Sequence, residues 1–175
     1  EMLAFDPAGY SLVWYEEFFT SLNWQGAIRN SVIIAFFFTI IATFLGTLAS
    51  LGLSRPNMPY RTLLMSLLIS PMIVPLIIAA AGMFFFYSRL GLQGTHLGVI
   101  LAHAVLGTPF VVITVTATLT GFDNNLIRAS QSLGASPTTT FFKVIVPLIT
   151  PGVISGALFA FVTSFDEVVV VLFVG

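Results

Sequence analysis

The sequence predicts an all-α fold, a polytopic bundle of membrane-spanning helices, and three observations carry that prediction. The chain of 175 residues is 57% hydrophobic and only 7% charged, against about 25% charged residues in soluble domains. Its mean hydropathy is +1.03. So few charges cannot cover a surface that faces water, and the surrounding solvent is therefore mostly lipid. The charges also act as punctuation: no Asp, Glu, Lys or Arg occurs within 30–54, 62–88, 90–122 or 144–165. Each gap exceeds the ~20 residues a helix needs to cross a bilayer. Lipid offers the backbone no hydrogen-bond partner, so each span must satisfy its own N–H and C=O groups as a helix.

The first 30 residues read as an external N-terminal segment. Tyr10, Trp14, Tyr15, Phe18, Phe19 and Trp24 are mixed there with acids and turn residues, a composition suited to the headgroup level. A short amphipathic helix is expected over 13–21. Glu1, Asp6, Glu16 and Glu17 stand where a signal peptide carries basic residues, so the segment is not one. Four spans follow, about 31–53, 62–87, 98–120 and 147–166, in a transmembrane domain over 31–175. Pro71, Pro75, Gly82, Gly107, Pro109, Pro151, Gly152 and Gly156 within them predict kinks and close helix contacts. The chain starts at Glu1 and stops in the apolar run ending Phe173-Val174-Gly175, and both ends are expected to be truncated.

Orientation follows from the basic residues. Loops 54–61 and 121–146 hold Arg55, Arg61, Arg128 and Lys143, while the other side holds Arg29 and Arg89. The first two loops are therefore expected in the cytoplasm and the N-terminal segment outside.

The connection 121–146 is the most informative stretch, far longer than the roughly 2–8 residues usual between helices of a bundle. Asp123 or Asn124 caps a short helix, and Leu126, Ala129, Ser130 and Leu133 recur at helical spacing. Gly134 suits a left-handed turn that ends it. Ser136-Pro137 is an N-cap followed by proline at the first helical position. A second short helix is expected through Phe141, Phe142 and Val144 toward Pro147. This helix–turn–helix leaves apolar residues exposed: either it docks on a partner or it lies as an amphipathic hairpin on the membrane.

Arg128-Ala129-Ser130-Gln131-Ser132-Leu133-Gly134-Ala135-Ser136-Pro137, followed by Phe141-Phe142-Lys143-Val144-Ile145-Val146-Pro147-Leu148-Ile149, resembles the EAA motif of binding-protein-dependent ABC importer permeases. The stretch Ser164-Phe165-Asp166-Glu167-Val168-Val169-Val170 resembles the spermidine/putrescine permeases of the PotC-like branch. Asn30-Ser31, the Pro71–Pro75 region, and Ala102-His103 before Pro109-Phe110 are similar to type I permeases. The resemblance implies the type I importer permease fold, with four full spans visible of six. It implies a multi-pass subunit of the bacterial inner membrane that moves polyamines by alternating access. Its partners would be a cytoplasmic ABC ATPase dimer, a second and different permease chain, and a periplasmic substrate-binding protein. Arg128, Ala129, Ser130, Leu133, Gly134, Ala135, Ser136 and Pro137 would dock on the ATPase. Arg128 and Ser130 depart from the family's Glu and second Ala, so a salt bridge from that Glu does not carry over, whereas apolar docking does.

Several chemistries are excluded or unsupported. The chain has no cysteine, hence no disulfide, thiolate metal site or Cys nucleophile. It has no G-x-x-x-x-G-K-[ST] loop and no H-E-x-x-H motif. No catalytic or metal site and no cofactor are expected in this chain; ATP and Mg would be bound by the partner ATPase. The net charge of −1 gives no footprint for nucleic acid. His103 lies inside a span, either a functional group or a neutral histidine bonded to a neighbouring helix. Asp166 and Glu167 fall ~19 residues after Pro147, roughly 29 Å along a helix, at the external end of the last span. They are either solvated boundary acids or a negative substrate path for a cation. The competing functions are a permease for another small solute (iron, sulfate, phosphonate or an amino-acid-derived compound) and a membrane scaffold without transport.

Overall fold

The computed structural model describes residues 12–55 and 57–175, and the expectations placed on residues 1–11 lie outside them. The described residues divide into two compact units, one ending at Ile33 and the other over Ile34–Gly175. Within the first, α1 (Val13–Thr20) has no buried residue and exposes Trp14, Tyr15 and Phe19. Its Phe18 ring meets Trp24 at 5.2 Å. Helix α2 (Leu22–Leu53) begins in this unit, so the stretch 22–30, read above as part of an external segment, is already helical.

The second unit continues with α3 (Arg61–Ile73), α4 (Leu76–Leu90), α5 (His96–Thr120), α6 (Asn125–Ser132), α7 (Pro137–Thr140), a π-helical turn (Phe141–Ile145), α8 (Val146–Asp166) and α9 (Val169–Val174). Helices α2, α5 and the run Pro137–Asp166 are long and apolar enough to cross a membrane.

The stretch 62–87, expected as one helical span, is corrected by the structure to two helices, α3 and α4, meeting at 100°. Proline is the cause. Pro75 has no N–H to extend α3, and its ring drives the preceding Val74 to extended backbone, ψ 132°. Pro71 also removes a donor inside α3. The Ser70 hydroxyl donates to Leu67 O at 2.8 Å, satisfying the carbonyl that Pro71 leaves open.

Helix α5 is the axis of this unit. Its apolar window is 61% buried, against 22% for each of the other two spans. One face packs Ile100, Ala104, Val111 and Val115 against Phe38 and Ala42 of α2 and Ala160 of α8. The other packs Val99, Ala102 and Leu106 against Ala80 and Tyr87 of α4 and Val170 and Val174 of α9. Small residues set the α5–α8 distance: a Cβ at Gly152 would strike Thr118 Oγ1, and one at Gly156 would lie 2.8 Å from Val111 Cα. Backbones approach this closely in lipid because dispersion, not water exclusion, drives helix association there.

Candidate functional site

Two regions at opposite ends of α8 carry the candidate residues. At the first, Asp123 Oδ1 accepts from Asn125 N–H at 2.9 Å and starts α6. Its end is a Schellman motif: Ala135 N–H donates to Ser130 O at 3.1 Å and Gly134 N–H to Gln131 O at 2.9 Å. Gly134 sits at φ +81°, where a side chain would be strained. Ser136 Oγ then accepts from Thr139 N–H at 3.2 Å, with Pro137 in the first turn of α7. The two arms are tied by Ser130 Oγ and Thr140 Oγ1 at 2.8 Å.

Leu126, Leu133 and Phe142 of this hairpin are exposed. Leu133 is 88% exposed, and Arg128, Ala129, Gly134, Ser136 and Pro137 are exposed as well. Ser130 and Ala135 are half-buried. Thr140, which sequence reasoning missed, is buried; its signal lay in Ser130, the departure from the family's alanine. Behind the hairpin a cavity of about 320 Å³ is lined by Leu51, Arg55, Phe122, Ile127, Phe141 and Ile145, among others.

No loop separates the hairpin from α8. Its second arm runs on through the π turn, where Val146 N–H reaches back five residues to Phe141 O. Pro147 lacks the N–H that would have bonded Lys143 O, so a regular α-helical turn is unavailable there. Helix α8 therefore continues the hairpin as a lever of 21 residues, roughly 31 Å at 1.5 Å per residue.

The far end of that lever is the second region. Helix α8 stops at Asp166, and α9 starts at Val169. Glu167 Oε1 accepts from Val170 N–H at 2.9 Å, so this carboxylate caps α9, whereas Asp166 is exposed. The two acids thus occupy one corner in different environments. The last carbonyls of a helix carry partial negative charge, and at the end of α8 they add to the negative potential of the corner. Arrangements of this kind, in which a broken helix presents carbonyls and carboxylates, favour cations. His103 lies on α5 beside the corner, buried, with Nδ1 3.0 Å from Ser164 Oγ.

Residues 42–175 match the family model described as the binding-protein-dependent transport system inner membrane component. The chain belongs to that family. It is a multi-pass membrane protein with the type I ABC permease fold. It is 35% identical over 166 residues to the spermidine/putrescine transport system permease protein PotC of Haemophilus influenzae, covering 95% of this chain and 65% of that protein. PotC of Escherichia coli K12 is 32% identical over 95% of this chain and 63% of its own length. The sulfoquinovosyl glycerol transport system permease protein SmoH of Agrobacterium fabrum is 28% identical over 95% of this chain and 58% of its own. The chain described here thus spans a little under two thirds of the length of the polyamine relatives it matches.

Proposed function

We propose that this permease imports polyamines, driven by ATP hydrolysed in partner subunits. The observation that carries the reading is the construction of α8. One continuous lever joins an exposed, apolar hairpin to a corner bearing two carboxylates. In this reading the hairpin is cytoplasmic and seats Arg128, Ala129, Leu133 and Pro137 in a groove of the ATPase. Closure of the ATPase dimer tilts α8, and the corner at Asp166 and Glu167 passes from an outward-facing to an inward-facing setting. A periplasmic binding protein delivers the substrate, and a second, different permease chain completes the path. Protonated amines suit the corner because carboxylates and helix-end carbonyls are acceptors only. The similarity to the two spermidine/putrescine permeases supports the same substrate class.

Uptake of labelled spermidine into vesicles holding the complete transporter tests this reading. ATP-dependent uptake that excess putrescine suppresses, and a neutral sugar does not, is the expected result. Uptake of a neutral or anionic solute instead would leave an importer of another class, the reading that the similarity to SmoH favours.

A further inference from the structure

His103 is buried on α5 and makes a hydrogen bond to a different helix. It is 3% exposed on α5. The Phe38 ring closes it from the α2 side, edge-on at 5.9 Å between ring centres, and Phe38 in turn fills the space where a side chain on Gly107 would stand. Nδ1 faces Ser164 Oγ at 3.0 Å. Among the described residues, Nε2 is buried with no partner.

The behaviour of Ser164 singles this contact out. A hydroxyl inside a helix ordinarily bonds the carbonyl four residues back. Thr150, Thr163, Thr114 and Thr118 do so, at 2.8 to 3.0 Å, while the buried hydroxyls of Thr39, Thr43, Thr47 and Thr116 have no partner among the described residues. Ser164 is turned instead toward α5. It also stands two residues before Asp166, in the last turn of α8. Beyond it the chain bends around α5: α8 packs on one face of that helix through Ala160, and α9 on another through Val170 and Val174. The bend is held by the backbone bonds Val168 N–H to Asp166 O at 3.1 Å and Leu172 N–H to Val168 O at 3.0 Å, and by the Glu167 cap. Among the described residues, the His103–Ser164 pair is the side-chain hydrogen bond between α5 and the last turn of α8.

We propose that His103 is the positioning residue of the acidic corner. Through Ser164 it fixes the last turn of α8, and with it the direction in which Asp166 and Glu167 are presented. Its functional consequence rests on the reading of that corner as the substrate path, whereas its structural consequence does not. Asparagine carries an amide where histidine carries Nδ1, so His103→Asn retains the tie; His103→Leu and Ser164→Ala remove it.

The chain has no cysteine, so Val168→Cys, at an exposed position inside the bend, places one thiol of this chain at the corner. The test measures its labelling by a charged maleimide in the complete transporter, together with the putrescine concentration that half-saturates uptake. His103→Leu and Ser164→Ala should each change the labelling rate and raise half-saturation by roughly 3- to 10-fold, the scale of one interhelical hydrogen bond in a membrane. The double variant should add nothing further, and His103→Asn should restore both readings. A loss of folded transporter alone would lower the maximal rate in all variants, His103→Asn included, without moving half-saturation, and would overturn the proposal. Unchanged labelling would overturn it as well. Altered labelling with unchanged half-saturation in a putrescine-transporting complex would overturn its functional half. A wild-type complex that takes up no putrescine would sink the polyamine reading, while the labelling would still decide the role of His103.

Discussion

Asp166 and Glu167 are neighbours in sequence with different work to do. Glu167 Oε1 holds Val170 N–H, so its first role is to start α9. Glu167→Gln keeps an acceptor at that position and should leave thermal stability nearly unchanged. Glu167→Ala should cost about 1 kcal/mol, the usual worth of a lost cap, read as a lower unfolding temperature in detergent. Equal effects of the two substitutions would show that charge, not capping, is what Glu167 supplies. Asp166 is exposed at the corner and carries the clearer substrate prediction. Asp166→Asn should raise half-saturation for a polyamine roughly tenfold, the scale of one lost charge-assisted hydrogen bond. A variant that takes up spermidine with wild-type concentration dependence would remove Asp166 from the path. Sequence showed both acids inside an otherwise apolar run, but not their division of labour, because a cap depends on where the helix stops, and that is decided by how α9 folds back on α5.

The helix–turn–helix and the broken span are where local chemistry decides structure. Gly134 at φ +81° and Ser136 before Pro137 were legible, since each residue type is selected by the backbone conformation it must adopt. Gly134→Ala should cost about 1–2 kcal/mol in the hairpin and lower the amount of substrate moved per ATP hydrolysed; undiminished stoichiometry would argue against hairpin docking. Ser130→Ala and Thr140→Val should each loosen the hairpin by about 1 kcal/mol, with a double variant no worse than either single one, which limited proteolysis reports. Additive losses would mean that the two hydroxyls act separately. Two features were not legible. Pro71 and Pro75 announced an interruption, but the 100° angle between α3 and α4 depends on the neighbours that receive them. The π turn at Phe141–Ile145 leaves no trace in apolar periodicity, because it is one wider turn between regular ones.

At the scale of the whole molecule, composition alone was enough for a membrane bundle, and the charge-free stretches coincide with the long helices α2, α5 and α8 but not with the break between α3 and α4. It could not rank them. Uncharged stretches look alike in hydropathy, so nothing in the sequence marked α5 as the helix that both apolar clusters share. That arrangement places α8 between an exposed hairpin and an acidic corner, and the proposed function stands on the coupling of the two. The most direct measurement is ATP hydrolysis by the complete transporter reconstituted with its binding protein, with spermidine, putrescine, a neutral sugar or sulfate supplied in turn. The account predicts stimulation by the two polyamines, none by the other solutes, and loss of that stimulation in the Gly134→Pro variant. Hydrolysis that rises with sugar or sulfate and ignores polyamines, or that still responds to polyamines in Gly134→Pro, would contradict it.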